Sequence, residues 1–322
     1  MTQEEFKELL ERLNNNNFVE SSLEIVTEFF DYQTFNERIG DKGTVLLAKA
    51  LRKNPHITKV TLINQNMADE GAIALSEVDS LEELNLWYNN IHALGLEALA
   101  RSRLKILSIR ENMDIFENFI RSGAEEELLG VIEPLIENKT IIELSLQRTF
   151  IPDKLVAELI GRNTTIKILN LSGNYLTDEA LKYIENNKTI EYLNLSENHI
   201  SDIGAGYIAK NTSLKALVIN KSNITDAGAK LLSTHPTLQE LMMIDSDITP
   251  EGAKYFLDST LSKIVIDKHN KAHFSKRELY KFYHEFADTR KAVLQQQEDN
   301  NNESLNENAQ IPLSGDDYHI DN

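Results

Sequence analysis

Residues 190–208 read IEYLNLSENHISDIGAGYI, and this stretch decides the fold. Leu193 and Leu195 alternate with polar residues, as in a strand with one buried face, whereas the residues that end at Ile208 follow helical spacing. Asn198 stands between the two patterns, where an amide side chain can bond to turn backbone that neither strand nor helix pairs. The stretch therefore predicts one strand, one turn and one helix.

The same pattern recurs along the chain, and positions are numbered here from the first residue of each copy. Copies begin at Ile57, Leu81, Leu104, Ile141, Ile166, Ile190, Leu214, Leu238 and Leu261. The successive spacings are 24, 23, 37, 25, 24, 24, 24 and 23 residues, and a degenerate earlier copy fits at Phe29. Because one unit cannot bury its leucines alone, neighbouring units must stack. The predicted fold class is an α/β solenoid with a parallel β-sheet on the concave face and helices on the convex face.

An aspartate returns at position 13 of most copies. Its members are Asp69, Asp153, Asp178, Asp202 and Asp226. Each stands where the helix begins, which predicts an N-cap or first-turn residue. Since the same carboxylate recurs once per repeat, we expect it to serve the fold rather than catalysis.

The motif I-T/S-D-x-G-A after the asparagine resembles the ribonuclease-inhibitor-like subfamily of leucine-rich-repeat proteins. The resemblance covers Phe29 to Lys268. It implies a horseshoe or arc that serves as a scaffold for a protein partner, since that family includes inhibitors, immune receptors and GTPase-activating proteins. Acidic, asparagine-rich copies without cysteine are also similar to leucine-rich-repeat effectors that intracellular bacterial pathogens secrete into host cells. This second resemblance implies a host protein as the partner.

The two ends of the chain differ from the repeats. Thr2 and Glu5 form a predicted capping box for an amphipathic helix, and residues 1–28 are assigned to an N-terminal helical cap. The solenoid of about ten repeats takes residues 29–271, and a C-terminal capping helix takes residues 272–297. Residues 298–322 contain no Lys or Arg and few large apolar residues, which predicts a disordered acidic tail. That tail is either simply solvated or a translocation signal.

The repeat at residues 104–140 is about thirteen residues longer than the others. The extra residues fall within 113–140, where Ile115 and Phe116 suggest an additional helical turn. The enlarged repeat is either a tolerated surface insertion or a lip that contacts a partner.

Composition restricts the partner and the compartment. The sequence has 33 Lys plus Arg against 51 Asp plus Glu, a net charge of −18, which disfavours nucleic acid and anionic membrane surfaces. The sequence has no cysteine, so disulfides, thiolate nucleophiles and cysteine-ligated zinc are excluded, and a reducing cytosol is expected. We expect no cleaved signal peptide and no membrane span, because the start lacks a basic and apolar segment and no long apolar run follows.

Motifs for enzyme chemistry are missing from the sequence. It contains neither a phosphate-binding GxxxxGK(S/T) loop, nor an HExxH zinc motif, nor a recognisable nucleophile motif. We therefore predict no enzyme activity, no catalytic residue, no cofactor and no metal. One alternative stays open, in which Arg110 or Arg148 is supplied in trans to the nucleotide site of a small GTPase.

The predicted interaction site lies on the concave sheet. With positions 4 and 6 buried, positions 3, 5, 7 and 8 face outward, and several of these carry aromatic or arginine side chains, which dominate binding energy in interfaces. The predicted partner-binding residues are Phe35, Ile63, Trp87, Tyr88, Arg110, Glu111, Arg148 and Tyr192. In the other interpretation, Trp87 and Tyr88 pack against each other and neighbouring strands without a partner. We expect a monomer that binds another protein in the cytosol, or in the host cytosol if the chain is translocated.

Overall fold

The structure is a computed structural model, and it describes residues 2–27, 38–113, 115–116 and 125–267. The described residues belong to one structural unit, Met1–Ala272. The segments predicted as a C-terminal capping helix (272–297) and an acidic tail (298–322) lie outside the described residues, and so does Phe35.

The described strands form one parallel sheet whose spatial order is the order of the chain. They are β1 Ser22–Val26, β2 Lys59–Ile63, β3 Glu83–Asn85, β4 Ile106–Ser108, β5 Glu143–Ser145, β6 Ile168–Asn170, β7 Tyr192–Asn194, β8 Ala216–Val218, β9 Glu240–Ile244 and β10 Lys263–Asp267. A helix or helical turn separates every pair of successive described strands. The predicted fold class, a leucine-rich-repeat solenoid, is confirmed.

The helices are short, as expected when each must fit within one repeat. The α-helices are α1 Gln3–Asn14, α2 Gly40–Leu51, α3 Asp69–Ser76, α4 Ala93–Ala100, α5 Glu125–Glu137, α6 Asp153–Arg162, α7 Asp202–Ile208, α8 Asp226–Leu232 and α9 Pro250–Ala253. The repeat between β6 and β7 uses two 3-10 helices instead, Asp178–Leu181 and Ile184–Asn186. Among the described residues, a further 3-10 helix, Lys254–Phe256, follows α9. In the described part of the chain, no helix is both long and apolar enough to cross a membrane.

The core consists of the side chains at positions 4 and 6. From β3 to β9 these side chains have no accessible surface, and each such leucine contributes about 1.5–3 kcal/mol relative to an exposed one. They are Leu84, Leu86, Leu107, Ile109, Leu144, Leu146, Leu169, Leu171, Leu193, Leu195, Leu217, Ile219, Leu241 and Met243.

The asparagine at position 9 bonds to turn backbone, as predicted, and it also joins neighbouring repeats, which the pattern did not predict. Asn198 accepts hydrogen bonds from the backbone N–H groups of Asn174 (3.0 Å) and Leu176 (2.9 Å) in the preceding repeat. Its own amide donates to the carbonyls of Leu171 (3.0 Å) and Leu195 (2.9 Å). One buried amide thus satisfies four backbone groups of two turns that would otherwise lose water without replacement.

The first repeat begins earlier than the pattern predicts. Strand β1 pairs with β2 so that Val26 lies opposite Ile63, the place that a copy beginning at Phe29 would give to Phe35. The boundary after residue 28 is therefore wrong for the strand, which falls inside the segment assigned to the N-terminal cap. The residues whose spacing supports a copy at Phe29 include Asp41, Gly43 and Leu47, and these lie in α2. A connection longer than a standard one separates β1 from that helix.

The predicted capping box is present at the start of α1. The Thr2 hydroxyl accepts from the Glu5 N–H (3.1 Å), and the Glu5 carboxylate accepts from the Thr2 N–H (2.7 Å). Phe6, Leu9 and Leu13 on this helix are buried, and α1 packs beside α2.

The enlarged repeat leaves the sheet continuous. Strands β4 and β5 pair in the same register as their neighbours, with Leu107 opposite Leu144. Ile115 and Phe116 are helical and fully buried, so the start of the extra segment is anchored in the core. Residue 114 and residues 117–124 lie outside the described residues, so the role of this segment stays a prediction.

Candidate functional site

Trp87 follows β3 on the outward face of the sheet, where it is partly exposed. Its indole N–H donates to the Ser108 hydroxyl at 2.6 Å, so the polar edge of the ring is satisfied within the protein. The guanidinium carbon of Arg110 lies 4.6 Å from the centre of the ring. Such a cation–π contact contributes about 0.5–1 kcal/mol at an exposed site. The indole is therefore held in place on the sheet rather than in the core.

Glu111 is buried instead of displayed. Only 2% of its side chain is exposed, because Arg110 (3.3 Å) and Arg148 (3.5 Å) close over the carboxylate. The repeat pattern predicts that the Glu111 side chain is exposed as a contact residue, and this prediction of exposure is wrong. Its carboxylate instead orients two arginines at the site.

Arg148 reaches across a whole repeat to Glu197. Arg148 Nη2 lies 2.8 Å from Glu197 Oε2, and Lys221 Nζ lies 2.8 Å from the other oxygen of the same carboxylate. Gly173 stands between them, where a Cβ atom would lie only 2.6 Å from Arg148 Cγ. The hydrogen bonds from Lys221 and Arg148 lower the pKa of Glu197, and the bond to Glu197 raises the pKa of Arg148. This interaction fixes the direction of the arginine.

Residues at position 8 lie in the turns at the carboxyl ends of the strands, not on the strand face as predicted. Tyr88, Glu111 and Arg148 have φ values of 52°, 59° and 51°. This left-handed conformation turns the chain away from the extended backbone of the strand. Tyr88 is 42% exposed there, and its hydrogen bond to Glu111, followed by burial, raises its pKa.

The predicted residues divide into one cluster and one outlier. Ile63 lies on β2, partly exposed, next to the repeat that carries Trp87, and the two arginines follow in the next repeats. Tyr192 begins β7, four strands from β3, which is about 19 Å at ordinary strand spacing. Tyr192 therefore belongs to a separate part of the sheet.

Aromatic side chains form a row at position 10 of three successive repeats, and the sequence prediction did not include this row. Phe150 and Tyr175 stack with their ring centres 5.8 Å apart and their planes within 1°, and His199 continues the row at 6.0 Å from Tyr175. Tyr175 is 64% exposed. The signal was available in the sequence, because the three rings recur at spacings of 25 and 24 residues.

The GTPase alternative finds no support in the position of the arginines. Arg110 is engaged by Trp87 and Glu111, and Arg148 is engaged by Glu111 and Glu197. An arginine supplied in trans must extend into a nucleotide site on another molecule. Among the residues that the structure describes, no group of three or more His, Asp or Glu side chains is arranged to hold a metal ion.

A family model agrees with the repeat, and solved structures show a weaker likeness. A family model described as leucine-rich repeat matches residues 80–100, 162–184, 186–209 and 210–233. Among solved structures, internalin C2 from Listeria monocytogenes is 21% identical, with 68% of this chain and 84% of that chain covered and a TM-score of 0.48. The plant peptide hormone receptor RGFR1 in complex with RGF2 is 12% identical, with 71% and 42% covered and a TM-score of 0.38. A comparison with curated proteins finds no match.

Proposed function

We propose that this leucine-rich-repeat chain is a non-enzymatic scaffold that binds another protein through the sheet face around Trp87. The observation that carries the proposal is the partly exposed indole, held on the sheet by Ser108 and covered on one side by Arg110. Large apolar groups displayed on a surface are typical of interaction sites, and tryptophan, tyrosine and arginine are enriched in binding hot spots.

The sheet is large enough for a stable interface. Ten strands at about 4.8 Å spacing span about 43 Å, whereas a standard interface buries about 800 Å² on each partner. In this proposal Ile63, Trp87, Tyr88 and Arg110 contact the partner directly. Glu111 and Glu197 act indirectly, because they orient the arginines.

The test compares two triple variants in affinity capture followed by mass spectrometry. The first combines Trp87→Ala, Tyr88→Ala and Arg110→Ala. The matched control combines Leu94→Ala, Ile203→Ala and Leu231→Ala, which remove exposed apolar side chains from α4, α7 and α8. We expect the sheet variant to lose a partner that the helix variant retains. Equal capture by both variants, with unchanged circular dichroism, would contradict the proposal.

We further propose that the chain acts as a monomer in the cytosol of a host cell after translocation from a bacterium. The support is the absence of cysteine from the sequence and the resemblance of its repeats to secreted effectors. A reporter enzyme fused to the chain, with and without residues 298–322, tests translocation during infection. A signal that needs the tail supports the proposal, and silence of both fusions contradicts it. Light scattering tests whether the chain is a monomer. We expect its measured mass to stay constant as the protein concentration rises.

A further inference from the structure

An uncharged polar strip crosses the sheet at position 5 of six successive strands. Its residues face one another in register from β2 to β7, and each is only partly exposed. They are Thr61, Asn85, Ser108, Ser145, Asn170 and Asn194. On β8 and β9 the same row continues as buried Val218 and Met242, which bounds the strip. We propose that this strip binds an extended, uncharged polypeptide segment of the partner. The inference rests on the proposed function and names the partner's chemistry.

The strip has hydrogen-bonding capacity that the protein does not use. Asn170 and Asn194 accept from the backbone N–H groups of Ser172 (3.1 Å) and Ser196 (3.0 Å), but neither side-chain amide donates to any residue that the structure describes. Asn85 Oδ1 is buried and has no hydrogen-bond partner there. Buried polar groups are ordinarily satisfied, so Asn85 Oδ1 is an exception, whereas the side-chain amides of Asn170 and Asn194 remain open to solvent and to a partner.

The other asparagines of the repeat behave differently. Asn198 donates to two carbonyls and accepts from two N–H groups, and Asn211 bonds in the same way between its own neighbours. Asparagine at these structural positions therefore donates within the chain, and even Asn54, whose Oδ1 has no partner among the described residues, donates to the carbonyls of Leu13 (2.8 Å) and Ala50 (2.9 Å). Free donors at Asn170 and Asn194 mark the strip as a surface whose acceptors come from outside.

Charged side chains beside the middle of the strip are already paired, whereas Glu24 on β1, opposite Thr61 at one end of the strip, is exposed and forms no ion pair with a described residue. Lys59 contacts Glu83 at 2.8 Å on the amino-terminal side of the strands, and Lys215 contacts Glu191 at 2.6 Å. On the carboxyl side Arg148 contacts Glu197 at 2.8 Å. A charge on the bound segment beside these pairs would lose water without finding a free counterion, which is costly in an interface. The complementary segment is therefore uncharged, although the whole chain is strongly acidic.

An extended segment fits the strip better than a folded surface does. Carbonyls within a helix or sheet have already accepted backbone hydrogen bonds, whereas an extended segment presents both its donors and its acceptors. The six strands span about 24 Å, which about seven extended residues cover. Trp87 is joined to the strip by its bond to Ser108, so the indole offers an apolar contact to a side chain of the same segment.

The test uses a phage-displayed library of random twelve-residue peptides, selected on the full chain. The strip variant is Asn170→Asp with Asn194→Asp, which keeps the Oδ1 acceptors for Ser172 and Ser196 but removes both donors. The matched charge control is Asn186→Asp with Asn223→Asp, two exposed residues outside the strip. Selected peptides are synthesised and their dissociation constants are measured by fluorescence anisotropy.

We expect selected peptides without charged residues, and binding about tenfold or more weaker in the strip variant but within about twofold in the control. Raising NaCl from about 50 to 500 mM should change affinity less than about threefold. Basic or acidic peptides with steep salt dependence would overturn the proposal, as would peptides that bind the strip variant normally. If the natural chain binds a glycan on an array and the strip variant does not, this result would also overturn the proposal.

The outcome for the peptide segment is separable from the outcome for the proposed function. If no peptide is selected while the Trp87 triple variant still loses its captured partner, the proposal of an extended segment is wrong and the proposed scaffold function stands. If the triple variant retains every partner, the scaffold function itself is wrong.

Discussion

The carboxylate of Asp202 accepts a hydrogen bond from the backbone N–H of Gly228, one repeat further along, at 2.9 Å. The same oxygen accepts from the Thr225 N–H at 2.9 Å, and the other oxygen from the Thr225 hydroxyl at 2.6 Å. The predicted first-turn aspartate is thus also a bond between repeats. Asp41 and Asp69 make the equivalent bonds to the glycines of the repeats that follow them.

Gly228→Ala should destabilise the protein because a Cβ atom there would lie 2.4 Å from Asp202 Oδ1. We expect a loss of about 1–3 kcal/mol in the free energy of unfolding. The matched control is Gly206→Ala in α7, where the nearest atom is Leu231 Cδ1 at 3.7 Å. That change should be neutral or stabilising by about 0.5–1 kcal/mol. Urea unfolding followed by circular dichroism measures both, and equal losses would contradict this explanation of the D-x-G motif.

The fold could be predicted from sequence because each copy specifies its own element. Leu193 and Leu195 need a neighbouring repeat to bury them, and Asn198 needs the turn of the preceding one, so local pattern and stacking agree. The first repeat was misplaced because the motif around Asp41 identifies α2 but not the distance back to its strand.

The candidate site was less predictable because its geometry depends on contacts between repeats. The burial of Glu111 comes from arginines at positions 7 and 8, and the direction of Arg148 depends on the missing side chain at Gly173. The alternation of buried and exposed residues along a strand predicts neither the burial of Glu111 nor the direction of Arg148. It also fails beyond the strand, where Tyr88 takes a left-handed conformation.

Gly173→Ala should cost more in the natural chain than in an Arg148→Ala background. Glu197 and Lys221 hold φ values of 57° and 51° at the same repeat position, so a side chain can adopt this left-handed backbone at a strain cost that both backgrounds share. The contact of a Cβ atom with Arg148 Cγ, at 2.6 Å, adds a cost that only the natural chain has. A double-mutant cycle in urea should give a coupling of about 0.5–2 kcal/mol.

A second measurement follows the Glu197 carboxylate by NMR titration. Its pKa, lowered by Lys221 and Arg148, should rise when Gly173→Ala displaces the arginine. Additive losses together with an unmoved Glu197 pKa would show that Gly173 does not provide room for Arg148.

Stability should fall between pH 6.5 and about 4 because His235 stays neutral in the folded chain. His235 is 3% exposed, and its Nδ1 accepts from the N–H groups of Thr237 (3.2 Å) and Leu238 (3.0 Å). Burial lowers its pKa to about 4. The unfolded chain binds a proton near pH 6.5 and the folded chain does not, so acid favours unfolding in this window. The contribution is about 3 kcal/mol at most.

His235→Asn is the matched variant for this prediction. Asparagine occupies the equivalent place at Asn211, where Oδ1 accepts from Ser213 (2.8 Å) and Leu214 (2.7 Å). The variant should keep the turn and lack the histidine titration. We expect the unfolding free energy of the natural chain to fall more than that of the His235→Asn variant as pH falls from 6.5 to 4. Parallel stability curves across that range would exclude His235 as the titrating group.

Trp87 is the single tryptophan of the sequence, so its fluorescence reports on the proposed interface without labelling. The ring is partly exposed beside Arg110, and a partner that covers it excludes water and soluble quencher. At saturation with the captured partner, the acrylamide quenching constant should fall about twofold or more and the emission should move to shorter wavelength. The helix triple variant Leu94→Ala, Ile203→Ala and Leu231→Ala should show the same change. An unchanged quenching constant at saturation would place the interface away from Trp87, because an indole inside a contact area cannot remain equally open to solvent.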